Sequence, residues 1–170
     1  MDLMVADNGS NTRRSLLLNL VPMTQQRGRR AIEAGDTGKA VAANITRLRK
    51  RRELTTRQLS ALLEANGRPI PASGITRMEK AERQVTVDEL VALAAALRVN
   101  PSALLLPLDD DPAHMVAITG VGEVPADRAW DWVDGEAPIE TVRPGDPTGA
   151  LLLFQVDARP PQRRLQLGAE

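Results

Sequence analysis

The side chains able to do chemistry in this 170-residue chain are mostly guanidinium and ammonium groups, and they are unevenly placed. Residues 39–107 carry 12 basic against 6 acidic side chains, a net +6, while residues 108–170 carry 5 against 12, a net −7. Residues 1–38 stand at +1, so the whole chain is neutral. A basic block followed by an acidic block implies that only the middle of the chain faces a polyanion. Arginine outnumbers lysine 19 to three amid abundant Ala, Gly and Pro, which reads as coding bias rather than as function.

The groups that enzymes use are missing or isolated. There is no cysteine, which excludes disulfides and thiolate metal sites. His114 is the single histidine, and its only ligand-type neighbours are Asp109, Asp110 and Asp111, so neither a metal nor a cofactor is expected. No glycine-rich phosphate loop and no nucleophile elbow occur, and the remaining carboxylates are scattered, so the chain reads as a non-enzyme. No apolar run reaches the ~18 residues of a membrane span. Ser15 to Met23 is apolar but short, and no small-residue cleavage site follows it. A cytoplasmic protein away from membranes is the expectation. Met23 opens a start-like Met-Thr-Gln-Gln, so initiation there rather than at Met1 is open.

Five short helices position the basic groups. Val41, Ile45 and Leu48 recur at i, i+4 and i+7 and predict a first helix over about Lys39 to Arg52. Thr55-x-x-Gln58 is a capping box that opens a second helix with Leu59, Leu62 and Leu63 as its buried stripe, ending at Asn66-Gly67. Pro71 in a first turn starts a third helix, to about Ala81, burying Ile75 and Met78. Thr86-x-x-Glu89 caps a fourth, with Leu90, Val91, Leu93, Ala94 and Leu97 apolar. Asn100-Pro101 begins a fifth carrying Leu104, Leu105 and Leu106, stopped by Pro107. Leu54 and Ile70 are the expected core pins between helices.

Outside this block the signals thin out. Residues 1–38 read as a disordered polar tail, with at most a transient helix near Ser15 to Leu20. Residues 108–170 read as an acidic, Pro/Gly-rich, partly disordered appendage of short strand and helix elements. It holds a β-branched run, Val116 to Val124, interrupted by Gly120 and Gly122, then a short helix from Ala126 to Val133 and an isolated apolar run from Ala150 to Val156. Trp130 and Trp132 are two apart and cannot share a helix face. They read as small-core or interface residues, with base stacking as the alternative.

The stretches Leu54-Thr-Thr-Arg-Gln-Leu-Ser-Ala-Leu-Leu, Ile70-Pro-Ala-Ser-Gly-Ile-Thr-Arg-Met-Glu-Lys and Thr86-Val-Asp-Glu-Leu resemble the Cro/C1-type (XRE-like) helix-turn-helix regulators of bacteria and phages. The resemblance covers about Ala40 to Leu106. It implies an all-α, five-helix, lambda-repressor-like domain at 39–107 whose third helix enters the major groove of double-stranded DNA. The six-residue link from Glu64 to Pro69 and Ala81 after helix 3 depart from the usual pattern. The string Gly67-Arg-Pro-Ile-Pro-Ala-Ser is similar to that of actinobacterial members.

Carried over position by position, the resemblance implies a structural ion pair between Arg49 and Glu79. Pro71, Ala72, Ser73, Thr76 and Arg77 match recognition positions, with Arg77 able to grip guanine O6 and N7 and Ala72 offering a methyl to thymine. Thr55, Thr56 and Arg57 match phosphate-holding positions, with Lys50, Arg51, Arg52, Lys80 and Arg83 as further phosphate candidates. The bland alternatives are a solvated face for Lys50 to Arg52, a salt bridge from Arg77 to Glu79 or Glu82, and pure capping for Thr55 and Thr56. The reading is a sequence-specific DNA-binding transcriptional regulator, in the first instance a repressor. A homodimer, and a protein partner or effector taken by the C-terminal part, fit the same layout. The alternative is a protein-interaction module, an antitoxin or adaptor built on the same fold.

Overall fold

Apolar periodicity and capping chemistry produce five helices where the sequence places them, with small shifts at their ends. The computed structural model describes residues 33–139 and 147–164. The expectations for the first 32 residues lie outside that range. In chain order come α1 (Asp36–Arg51), α2 (Thr56–Ala65), α3 (Ala72–Glu79), α4 (Val87–Ala96) and α5 (Ser102–Leu105). A hairpin of β1 (Met115–Ile118) and β2 (Gly122–Pro125) follows, then α6 (Ala126–Val133), α7 (Pro147–Ala158) and a 3₁₀ turn (Pro161–Arg163).

Both capping boxes form. Thr55 Oγ1 accepts from the Gln58 amide at 3.2 Å while the Gln58 side chain takes the Thr55 amide at 2.8 Å. Thr86 and Glu89 repeat this at 3.3 and 3.0 Å. Asn100 caps α5 by accepting from the Ala103 amide. Each cap satisfies amides that have no partner within the helix. The first helix begins at Asp36, three residues before the expected Lys39, so residue 38 lies inside it. The third is shorter than expected: Pro71 precedes it in an extended conformation, and Ala81 turns the chain left-handed after it, at φ 55°.

The helical core gathers Ile45, Leu59, Leu63, Ile75, Met78, Leu93, Leu97 and Leu104, each less than 2 % exposed. Ile70 is buried with them, while Leu54 is half-buried. Leu62, expected in the buried stripe, and Val91, an apolar residue of the fourth helix, face outward instead, 41 % and 52 % exposed. Each stands at the edge of an arc already filled by Leu59 and Leu63, or by Leu93, Ala94 and Leu97.

The expectation of an all-α chain is corrected by the hairpin. Met115 pairs with Pro125, Val116 with Val124, Ala117 with Glu123 and Ile118 with Gly122, antiparallel. The alternation of Val116 and Ile118 buries one face, and Gly120 and Gly122 adopt φ of 83° and 100°, which side chains disfavour. Leu106, Val116, Ile118, Ala126 and Ala129 form a second core, flanked by Trp130 and Trp132. The apolar run at 150–156 is part of a helix, α7. Its buried Gln155 donates to the carbonyls of Gly135 (3.0 Å) and Glu136 (2.8 Å) beyond α6.

The two cores are stitched together. Leu105 packs against both. The Thr37 amide donates to Thr119 Oγ1 at 3.2 Å, and the Thr119 amide returns a bond to Thr37 Oγ1 at 3.0 Å. Gly35 lies so close that a Cβ there would meet Thr119 Oγ1 at 2.7 Å. Asn44, buried in α1, donates to the carbonyls of Leu104 and Leu106, at 3.2 and 2.7 Å. Those are orphan acceptors at the end of α5, so a single amide fixes α5 against α1.

Candidate nucleic-acid interface

The end of α1 is tied to the end of α3 by one ion pair. Arg49 Nε lies 2.5 Å from Glu79 Oε1 and Nη2 lies 2.9 Å from Oε2, while Nη1 donates to the Leu54 carbonyl at 2.7 Å. The two side chains are only 14 % and 11 % exposed. The hydrogen bond to Glu79, with its charge, holds the Arg49 proton more tightly than usual, against the opposing pull of burial. Three fixed contacts leave the guanidinium little freedom, so α3 is held at one angle to α1. Leu54 is the last residue before the cap of α2, so the same arginine also fixes how the chain enters α2. Ser60 of α2 donates to the Ile70 carbonyl at 2.6 Å and anchors the link that leads into α3.

This arrangement brings the basic residues at the end of α1 (Lys50, Arg51), the first turn of α2 (Arg57) and the end of α3 (Arg77, Lys80) onto elements that meet. All five are exposed and none forms an ion pair among the described residues. A salt bridge from Arg77 to Glu79 or Glu82 does not form, because Glu79 is taken by Arg49. Arg52 is half-buried and makes only a long contact, 3.4 Å, to the Leu48 carbonyl. Thr55 is exposed and occupied by its capping box, and Thr56 is half-buried in the first turn of α2.

On α3, Ser73 and Arg77 are exposed and one turn apart, while Ala72 and Thr76 form a half-buried row beside them. Thr76 Oγ1 donates to the Ala72 carbonyl at 3.0 Å. Its hydroxyl proton is therefore spent within the helix, and it presents a methyl group and an acceptor lone pair.

Arg83, a phosphate candidate, is engaged within the fold. It grips Glu89 with both terminal nitrogens, one at 3.1 Å, and its Nη1 also reaches the Gln84 carbonyl. Burial pushes the Glu89 carboxyl up, but the bonds from Arg83 and from the Thr86 amide outweigh it and hold Glu89 below the ordinary carboxylate range. This second pair locks the loop between α3 and α4. No periodicity marks it, although a basic residue six positions before the closing Glu of a capping box is the signal available. Asn44 likewise carries no local signal of its role: it stands on the apolar stripe of α1, and only its partners 60 and 62 residues away make it a positioning residue.

The tryptophans pack as small-core residues. Trp130 Nε1 donates to the carbonyls of Pro107 (3.1 Å) and Asp109 (2.9 Å), pinning the linker onto α6. His114 Nδ1 lies 2.7 Å from Asp109 Oδ2, and the bond from that carboxylate favours the protonated ring. Among the described residues no cluster of three or more ligand-type side chains is suited to a metal, and no helix is long and apolar enough to cross a membrane.

Residues 45–104 match the model of a helix-turn-helix family of the XRE type, about a third of the chain. No curated protein and no solved structure matches. The matched segment begins inside α1 and ends inside α5, so it contains both ion pairs and every candidate interface residue. A helix-turn-helix domain of this type is a DNA-binding regulatory domain.

Proposed function

We propose that the protein is a sequence-specific transcriptional regulator of the Cro/C1 kind that inserts α3 into the major groove of double-stranded DNA and acts as a repressor in the cytoplasm. The observation that carries this reading is the exposed, unpaired state of Arg77, Lys80, Lys50, Arg51 and Arg57 on three helices held together by Arg49 and Glu79. Unpaired cations on a rigid frame are what a phosphate backbone requires, because they neutralise charge without first breaking an internal bond. Arg77 reads guanine through its planar fork. Ser73 takes either base type, and the methyl groups of Ala72 and Thr76 lie against thymine. Thr55, Thr56, Arg52 and the exposed lysines and arginines hold phosphates. Arg83 contributes at most through its field, since its fork is taken by Glu89. The link at 67–73 supports an actinobacterial-type subfamily, and a homodimer would present two copies of α3.

Paired titrations on specific and random duplexes over a salt series test this. Arg77→Ala is expected to cost about 1–3 kcal/mol on the specific site and little on random duplex. Arg57→Ala is expected to weaken both equally and to flatten the salt slope by about one unit. Unchanged specific binding in Arg77→Ala would remove α3 from the groove and move a protein-interaction module ahead.

A further inference from the structure

Two cavities meet where the helical region joins the hairpin. The larger, about 380 Å³, is walled by Gly35, Gly38 and Val41 of α1 and its entry, and by Val85 and Leu90 at the start of α4. The smaller, about 270 Å³, reaches Ile118 and Trp132. Thr37, Leu105 and Thr119 line both, so the reciprocal threonine bonds and one leucine are the partition. The walls are mostly apolar; the polar groups are the hydroxyls of Thr37, Thr119 and Thr86, Gln84, and Arg83, whose guanidinium is held by Glu89.

We propose that this double cavity binds a small apolar molecule bearing at most one polar head, and that its occupancy alters DNA binding. The consequence for DNA rests on the function proposed above; the site itself does not. The larger cavity is within the ~300–1,000 Å³ range of ligand sites, and a junction of packed units is where such sites concentrate. Both cavities are partly open to solvent, so an apolar guest displaces water from their walls and gains dispersion contacts along them. The surroundings give the guest leverage. Val85 lies on the loop that continues from α3 and is clamped by Arg83 and Glu89, while α1 is bound to α3 at its far end by Arg49 and Glu79. A guest that changes the spacing of α1 and the α3–α4 loop acts on both attachments of α3.

The test uses the full chain with toluene, cyclohexanol and octanoate as probes, which share an apolar body and differ in head group. In a Trp130→Phe background Trp132 is the only tryptophan and reports the smaller cavity. At least one probe is expected to raise Tm by about 5 °C or more near 100 Kd and to shift Trp132 emission. It is also expected to change affinity for duplex DNA about fivefold or more. Ala34→Leu fills the larger cavity from the α1 side and Leu105→Phe fills the partition; whichever folds is expected to abolish all three responses. No Tm response from any probe, or an undiminished response in a folded filling variant, overturns the site. Binding that leaves DNA affinity unchanged in a chain that does bind DNA overturns the coupling to α3. A chain that binds probes but no duplex at all refutes the DNA-binding reading instead.

Discussion

Between α1 and α5 the interior holds eight large side chains less than 2 % exposed, whereas the hairpin and α6 enclose only Leu106, Val116, Ile118 and two alanines. The smaller region makes up the difference with directed bonds to backbone carbonyls: Trp130 onto Pro107 and Asp109, Gln155 onto Gly135 and Glu136, and Arg159 onto Asp134. Their charges differ too, with the basic excess on the helical region and the acidic excess after it. The linkage through Thr37 and Thr119 sits at the start of α1, while Lys50 and Arg51 sit at its end, about 20 Å away at 1.5 Å per residue. One helix thus separates that linkage from the basic residues at its other end. The lesson is that a region with a large apolar core can give its surface to a ligand, while a region without one spends its polar groups on itself.

Core truncation gives the largest expected contrast. Leu59→Ala should cost about 3 kcal/mol, because its surroundings are close-packed on every side, and Val116→Ala about 1 kcal/mol. Denaturant midpoints measure both, and equal costs would show that the second core is as dense as the first. Next comes Arg49→Met, expected to cost about 2–3 kcal/mol by stranding the Glu79 carboxylate and freeing the Leu54 carbonyl. A melting temperature equal to the parent's would mean that solvent screens the pair. Trp130→Phe keeps a benzene ring but deletes the pyrrole ring and its two hydrogen bonds, so a loss of about 1–2 kcal/mol is expected. Amide exchange should speed up in residues 107–133 and leave α2 and α3 untouched; faster exchange in α3 would break the separation of the two regions.

Ala81→Gly is expected to stabilise by about 0.5–1 kcal/mol, since Ala81 holds φ at 55° after α3 where glycine carries no steric cost. A destabilised variant would assign Ala81 a packing role that outweighs the strain. The smallest effect is a pH dependence. Glu89 titrates lower folded than unfolded, so its contribution is complete above the unfolded value of about 4.3 and disappears as pH falls through the folded one. Arg83 is a third exposed, which limits the contribution to less than about 1 kcal/mol. In Arg83→Gln the stability lost between pH 5 and pH 3 should be smaller than in the parent; an equal loss would assign the acid sensitivity to other carboxylates.

What the sequence determined by itself is the local order of the helical region. Capping boxes at Thr55 and Thr86, the Asn100 cap and the i, i+4, i+7 rows depend on neighbours a few positions away, so their residues can be read in place. The short helix at Ala126–Val133 was legible for the same reason, and so were the basic and acidic halves. The tertiary structure decided everything that needs a distant partner. Whether Leu62 or Val91 joins the core depends on which arcs the other helices occlude. The β-branched run and its two glycines marked short strands, but their antiparallel pairing needed Val116 and Val124 to find each other. The pairing of Arg83 with Glu89 exists only once the α3–α4 loop has folded back. Asn44 acquires its role from carbonyls 60 and 62 residues away. Periodicity is a property of the chain, but complementarity is a property of two surfaces, and it exists only after they meet.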